Sequence, residues 1–106
     1  MLIEIVTFDI PETMSRAEVM AAYDRVTAKW RGVPELVRKS FIYDEARRIG
    51  GAVYQWRDAE AAARWHGPDW QAGVRATYGS EARIERFEMP MIADNELGRT
   101  EHYPAG

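Results

Sequence analysis

The stretch Leu2-Ile3-Glu4-Ile5-Val6-Thr7-Phe8 predicts a strand that is apolar on both faces. Successive side chains of a strand point to opposite sides, so Ile3 and Ile5 share one face and Leu2, Val6 and Phe8 the other. Such a strand needs cover above and below. Glu4 is the exception, and a carboxylate in that setting calls for a basic partner.

Working outward, Ser15 and Glu18 match a capping box, with Val19, Tyr23, Val26 and Trp30 forming one stripe behind them. This predicts a helix over residues 16–30, ended by Gly32 and Pro34. Residues 35–43 and 52–56 read as two strands of a hairpin, joined by a polar loop over 44–49 and by Gly50-Gly51. Asp58 is the expected N-cap of a helix running to Trp65, which Gly67-Pro68 breaks. Pro68 then opens a second helix, with Trp70, Val74 and Tyr78 on one face, and Gly79 stops it. Residues 82–89 predict a fourth strand, one of whose arginines is the expected partner of Glu4.

The order β-α-β-β-α-β predicts an α+β, ferredoxin-like domain with a four-stranded antiparallel sheet and helices on one face. The other face of the first strand is then uncovered, and no element remains to cover it. A second copy of the sheet does so, which predicts a homodimer packed sheet to sheet. One domain over residues 1–95 is expected, followed by a tail over 96–106. The apolar residues after Pro90 that lead into it, Met91 and Ile92, are expected to pack on a partner, and the end of the chain to be mobile.

Composition narrows the function classes. The chain has 106 residues, enough for one domain, and a domain of that size buries only about 65% of its unfolded surface. With 17 acidic against 14 basic residues, it lacks the cationic excess that duplex nucleic acid demands. The absence of cysteine removes disulfides, thiolate nucleophiles, Cys-ligated zinc and iron–sulfur clusters. No apolar run nears the ~20 residues of a membrane span, and no basic leader precedes the first strand, so the cytoplasm is the expected compartment. Four Trp, five Tyr and three Phe against only three leucines suggest either a bulky core or the walls of a flat pocket.

Taken as a set, Leu36-Val37-Arg38-Lys39-Ser40-Phe41, Gly50-Gly51-Ala52-Val53-Tyr54-Gln55-Trp56, Pro68-Asp69-Trp70, Tyr78-Gly79 and Phe87-Glu88-Met89-Pro90 through Asp94-Asn95 resemble the YdhR-like monooxygenase family. That family belongs to the dimeric α+β barrel superfamily, which includes the antibiotic-biosynthesis monooxygenases. The resemblance implies a homodimer and oxidation of polycyclic phenols without metal or flavin. Related barrels cyclise polyketides, degrade haem or isomerise lactones.

Among candidate site residues, His66 stands where one helix breaks and the next begins, and resembles the His-before-Pro of polyketide-cyclising relatives. A neutral imidazole there is a candidate general base; the alternative is a helix-end histidine with no chemistry. Tyr54 is the second candidate for removing a phenolic proton. Trp56, Trp65, Trp70 and Tyr78 are candidate pocket walls or plain core. Arg38 and Lys39 are adjacent in a strand and face opposite ways, so at least one is directed inward or to the dimer seam. There it would hold a substrate carboxylate or enolate, or form an interfacial ion pair. Arg47 and Arg48 read as solvated charge. No metal site, phosphate loop or nucleophile elbow is supported, and no cofactor is expected. Three functions remain: a cofactor-independent monooxygenase acting on a small aromatic or polyketide-like substrate, a cyclase or isomerase using His66 for proton transfer, or a non-catalytic small-molecule-binding or stress-linked protein.

Overall fold

The computed structural model describes residues 1–104. Strand β1 (Leu2–Asp9) is followed by helix α1 (Arg16–Arg31), strands β2 (Leu36–Asp44) and β3 (Ile49–Trp56), helices α2 (Ala59–Trp65) and α3 (Pro68–Tyr78), and strand β4 (Arg83–Glu88). The four strands form one antiparallel sheet in the order β2-β3-β1-β4, an order consistent with the ferredoxin-like arrangement expected. Local chemistry sets the helix ends as the sequence foretells. Ser15 and Glu18 complete the capping box of α1, Asp58 accepts from the Glu60 amide at the start of α2, and Gly79 closes α3 in the left-handed conformation.

Alternation along the strands separates two faces. Val6, Phe8, Ala52, Tyr54 and Trp56 are buried with Val19, Tyr23, Trp30, Ala61, Ala62 and Val74 of the helices, and this is the core. Ile3, Ile5 and Val53 lie on the far face and are half-buried, with Phe87 beside them 51% exposed.

Three features differ from the sequence reading. The glycine pair lies within β3 rather than ahead of it, because two neighbours need the space a side chain would take. A Cβ at Gly51 would stand 1.9 Å from the Val6 carbonyl oxygen, and one at Gly50 would stand 2.5 Å from the Tyr23 hydroxyl. That hydroxyl accepts from the Gly51 amide and donates to the Ile42 carbonyl, so it ties α1 to the hairpin. Arg48 is not solvated charge. It sits at φ 54° and donates to the Pro11 and Met14 carbonyls, clamping the loop before α1, while Arg47 pairs with Asp44. The chain after Pro90 also folds further, into strands β5 (Met91–Asp94) and β6 (Arg99–His102). Their turn is made by Asp94 Oδ1, which accepts from the Leu97 amide, and by Gly98 at φ 69°.

Gly51→Ala should be strongly destabilising, by about 2–3 kcal/mol or more, because the clash is with backbone that cannot swing aside. Urea denaturation checks this, and an unchanged midpoint would contradict the described packing of β1 against β3.

Candidate functional site

The core does not fill the space between the sheet and the helices. A cavity of about 780 Å³ remains, bounded by β1, β2 and β3 beneath, α1 on one side and the α2–α3 junction on the other. Its walls are largely aromatic: Phe8, Trp30, Phe41, Tyr54, Trp65, Trp70 and Tyr78. These side chains are rigid and meet at angles. Trp30 stands edge-on to Tyr54 with centroids 5.3 Å apart, and Phe8 stacks on Tyr78 at 4.2 Å. Bulky planes packed in this way enclose space that leucines would fill.

Two polar groups of the sheet reach this space. The Lys39 ammonium nitrogen lies 4.2, 4.7 and 4.9 Å from the ring centroids of Phe41, Trp30 and Tyr54. Among the described residues no carboxylate comes within 4.0 Å of it. Burial, reinforced by Lys29, pulls its pKa down to about 7. The pKa of Tyr54 moves the opposite way, again toward the neutral form: burial first, and the Glu4 carboxylate second, hold its phenol well above the ordinary range. A tyrosine so perturbed keeps its proton. With its proton held this way, its hydroxyl is able to donate a hydrogen bond into the cavity.

Behind the Tyr54 and Trp70 walls lies a buried polar cluster. His66 is the C-cap of α2 and its side chain is fully buried, as is that of Glu4. His66 Nδ1 is 2.6 Å from Glu4 Oε1, off the line of a well-formed hydrogen bond, and Nε2 has no partner. Trp56 Nε1 donates to Glu4 Oε1 at 2.9 Å, and Arg86 Nε donates to Oε2 at 2.7 Å. Burial raises the Glu4 pKa, but His66, Arg86 and Trp56 together outweigh it, so the carboxyl sits below its ordinary value and is ionised. Burial lowers the His66 pKa and Glu4 only partly offsets this, so the imidazole is neutral at pH 7.

The sequence-derived candidates therefore divide into three places. Lys39, Tyr54, Trp65, Trp70 and Tyr78 line one cavity. His66 and Trp56 do not line it; the His66 ring packs 4.1 Å from Trp70 and 4.5 Å from Tyr54, so a ligand meets those walls first. Arg38 lies on the opposite face of the sheet, in a cleft of about 210 Å³ with Gln55, Ile92 and Tyr103. Arg38 and Lys39 thus face opposite sides of the sheet, as their adjacency in the strand requires, and it is Lys39 that is directed toward the helices. Glu4 is the residue of this cluster to which the sequence reading gave no site role. Its signal was a lone acid in an apolar strand. Among the described residues no group of three or more His, Cys, Asp or Glu gathers to hold a metal ion, and no helix is long and apolar enough to cross a membrane. Compared with known proteins, the chain matches no protein-family model, no curated protein and no solved structure.

The buried pair sets an acid limit on stability. His66 is depressed from 6.5, so the unfolded chain binds its proton first and stability falls as pH drops below about 6.5. Glu4 is depressed from 4.5, so its contribution holds above about 4.5 and is lost as pH falls through its lower folded value. Thermal melts from pH 7 to 4 should show both losses. His66→Gln should flatten the upper part of the curve. Glu4→Gln should cost about 1–2 kcal/mol at pH 7, because it removes the anion bound by Trp56 and Arg86 while the partly exposed Arg86 regains hydration.

Proposed function

We propose that the protein binds a small aromatic or polyketide-like substrate in this cavity and oxidises it as a cofactor-independent monooxygenase. The observation that carries the reading is the cavity of about 780 Å³, walled by aromatic planes and facing a cation without a carboxylate partner, Lys39. The YdhR-like resemblance points the same way. A phenol stacked between the walls gives its proton to the neutral fraction of Lys39. The ammonium so formed, with the Tyr54 hydroxyl donating, faces the phenolate oxygen. The phenolate passes one electron to dioxygen, the two radicals join at a ring carbon as a hydroperoxide, and loss of water leaves a quinone carbonyl. The substrate supplies all four electrons that dioxygen takes up, two in forming the hydroperoxide and two as the ring C–H and O–O bonds break on loss of water. The dry walls keep water from the intermediate. A second reading, oxygen-independent cyclisation or isomerisation, is favoured by one feature: Glu4 beside His66 Nδ1 leaves Nε2 as a free lone pair.

Incubating candidate polycyclic phenols with and without oxygen separates the two. Oxygen uptake matched to quinone formation is expected. Turnover that persists under nitrogen would favour cyclisation, and no turnover with bound ligand would favour binding alone. Tyr54→Phe should slow oxidation by about 10²-fold, the usual loss for one oxyanion donor, with little change in melting temperature.

We also propose that the chain forms a ferredoxin-like half of a dimeric α+β barrel, sheet to sheet. Ile3, Ile5, Val53 and the exposed Phe87 on the helix-free face support this. Light scattering should give about twice 12.2 kDa, and Phe87→Glu should shift the protein toward monomer. A wild-type monomer at micromolar concentration would defeat this assembly.

A further inference from the structure

We propose that Lys39 is a nucleophilic amine that condenses with a carbonyl group of the cavity's ligand, which narrows the substrate class to flat aromatic or polyketide-like aldehydes and ketones. This rests on the reading of the cavity as a small-molecule site, but not on the oxidation chemistry. The geometry is that of an amine held inside an aromatic cage. β2 directs Lys39 toward the helices, and Trp30, Phe41 and Tyr54 surround its nitrogen within 4.9 Å of their centroids. The charged residues lining the cavity are Arg25 and Lys29 of α1, Arg64 of α2 and Asp69 of α3. Burial and the nearby Lys29 charge outweigh the attraction of the three ring faces for an ammonium. Burial accordingly brings the Lys39 pKa to about 7, where about half the amine carries a lone pair at neutral pH. An ordinary lysine, with a pKa near 10.4, has a neutral fraction below about 0.1% at that pH.

The step balances without any further reactant. The Lys39 lone pair adds to the carbonyl carbon and the C=O π electrons move to oxygen. That oxygen takes a proton from the new ammonium, giving a carbinolamine. A second proton, taken up from bulk water, converts the hydroxyl to water, which leaves as the nitrogen lone pair forms C=N, and the product is an iminium with one proton consumed overall. Tyr54, itself one ring of the cage and kept protonated, supplies a hydroxyl to donate to the carbonyl oxygen. On a substrate with a phenol and no carbonyl, the same lone pair takes a proton instead.

The chain carries only two lysines, Lys29 and Lys39, so the test is clean. The full-length protein is incubated at pH 7 with 2-hydroxy-1-naphthaldehyde and cyanoborohydride, which reduces an imine to a stable secondary amine. Intact mass and peptide mapping then locate the adduct. One adduct on Lys39 is expected, forming about 10²-fold faster than on Lys29 and well ahead of the N-terminal amine. 2-Naphthol, which lacks the carbonyl, should quench tryptophan fluorescence and protect Lys39. Lys39→Met should abolish the adduct while the quenching persists. Quenching by naphthol with Lys39 unlabelled, or label spread evenly over all three amines, would overturn the nucleophile and leave the cavity reading standing. Neither quenching nor label would overturn both.

Discussion

Glu4 carries a full charge at a point with no solvent exposure, and the fold is arranged around satisfying it. Its three partners come from three different elements: Trp56 from β3, Arg86 from β4 and His66 from the end of α2. The carboxylate thus fixes the register of the sheet and the docking of the helix junction together. Glu4 pairs across the sheet with Tyr54 on one side and Arg86 on the other. A slip of one residue would send Arg86 to the far face and leave a buried anion without its cation. Leucine at position 4 would be simpler to bury, but it would specify none of these relations. Arg86 is 37% exposed, so the pair is partly solvated and its worth lies more in specifying the arrangement than in net energy.

The same dry environment that burdens Glu4 sets the chemistry of the cavity next to it. Removing water penalises whichever form of a group is charged. Lysine then tends toward the free amine and tyrosine toward the phenol, which reverses the usual assignment of base and donor. Lys39 becomes the group able to accept a proton and Tyr54 the group able to give a hydrogen bond. Burial is the larger cause of each change, with Lys29 and Glu4 adding to it. Both follow from aromatic walls that are too large and rigid to collapse.

Most of the elements were legible in the sequence because their signals are local. The capping box at Ser15, Asp58 before α2, Pro68 at the start of α3 and Gly79 at its end all act within a turn or two of chain. What was not legible depends on distant neighbours. Gly50 and Gly51 read as a loop because the reason for them, Tyr23 and the Val6 carbonyl, lies elsewhere in the chain. The β5–β6 hairpin was missed because its strands are only four residues each and β6 is entirely polar, though Asp94 and Gly98 mark its turn. Within the site, the alternation of Arg38 and Lys39 was legible but their directions were not. The bulge between Leu36 and Arg38 sets which of them faces the helices. Arg86 as a partner for Glu4 was foreseeable from charge alone; His66 as a third member was not, since an i-to-j contact across 62 residues leaves no trace in spacing.

The charges behind the wall also explain why two candidate bases behave differently. The Glu4 anion helps keep the Tyr54 phenol protonated, while the cations Lys39 and Arg86 add to burial in keeping His66 neutral. Glu4 and Arg86 neutralise each other at the centre of the sheet. What faces the cavity, together with Arg25, Lys29, Arg64 and Asp69, is therefore an amine with a pKa of about 7 and a neutral hydroxyl. In the proposed chemistry an uncharged flat molecule enters without losing strong hydration, and charge arises only once a proton has moved or a C–N bond has formed. The group positioned to respond to that charge is Lys39, which is in the cavity; His66 is separated from it by Tyr54 and Trp70 and serves first to complete the coordination of Glu4.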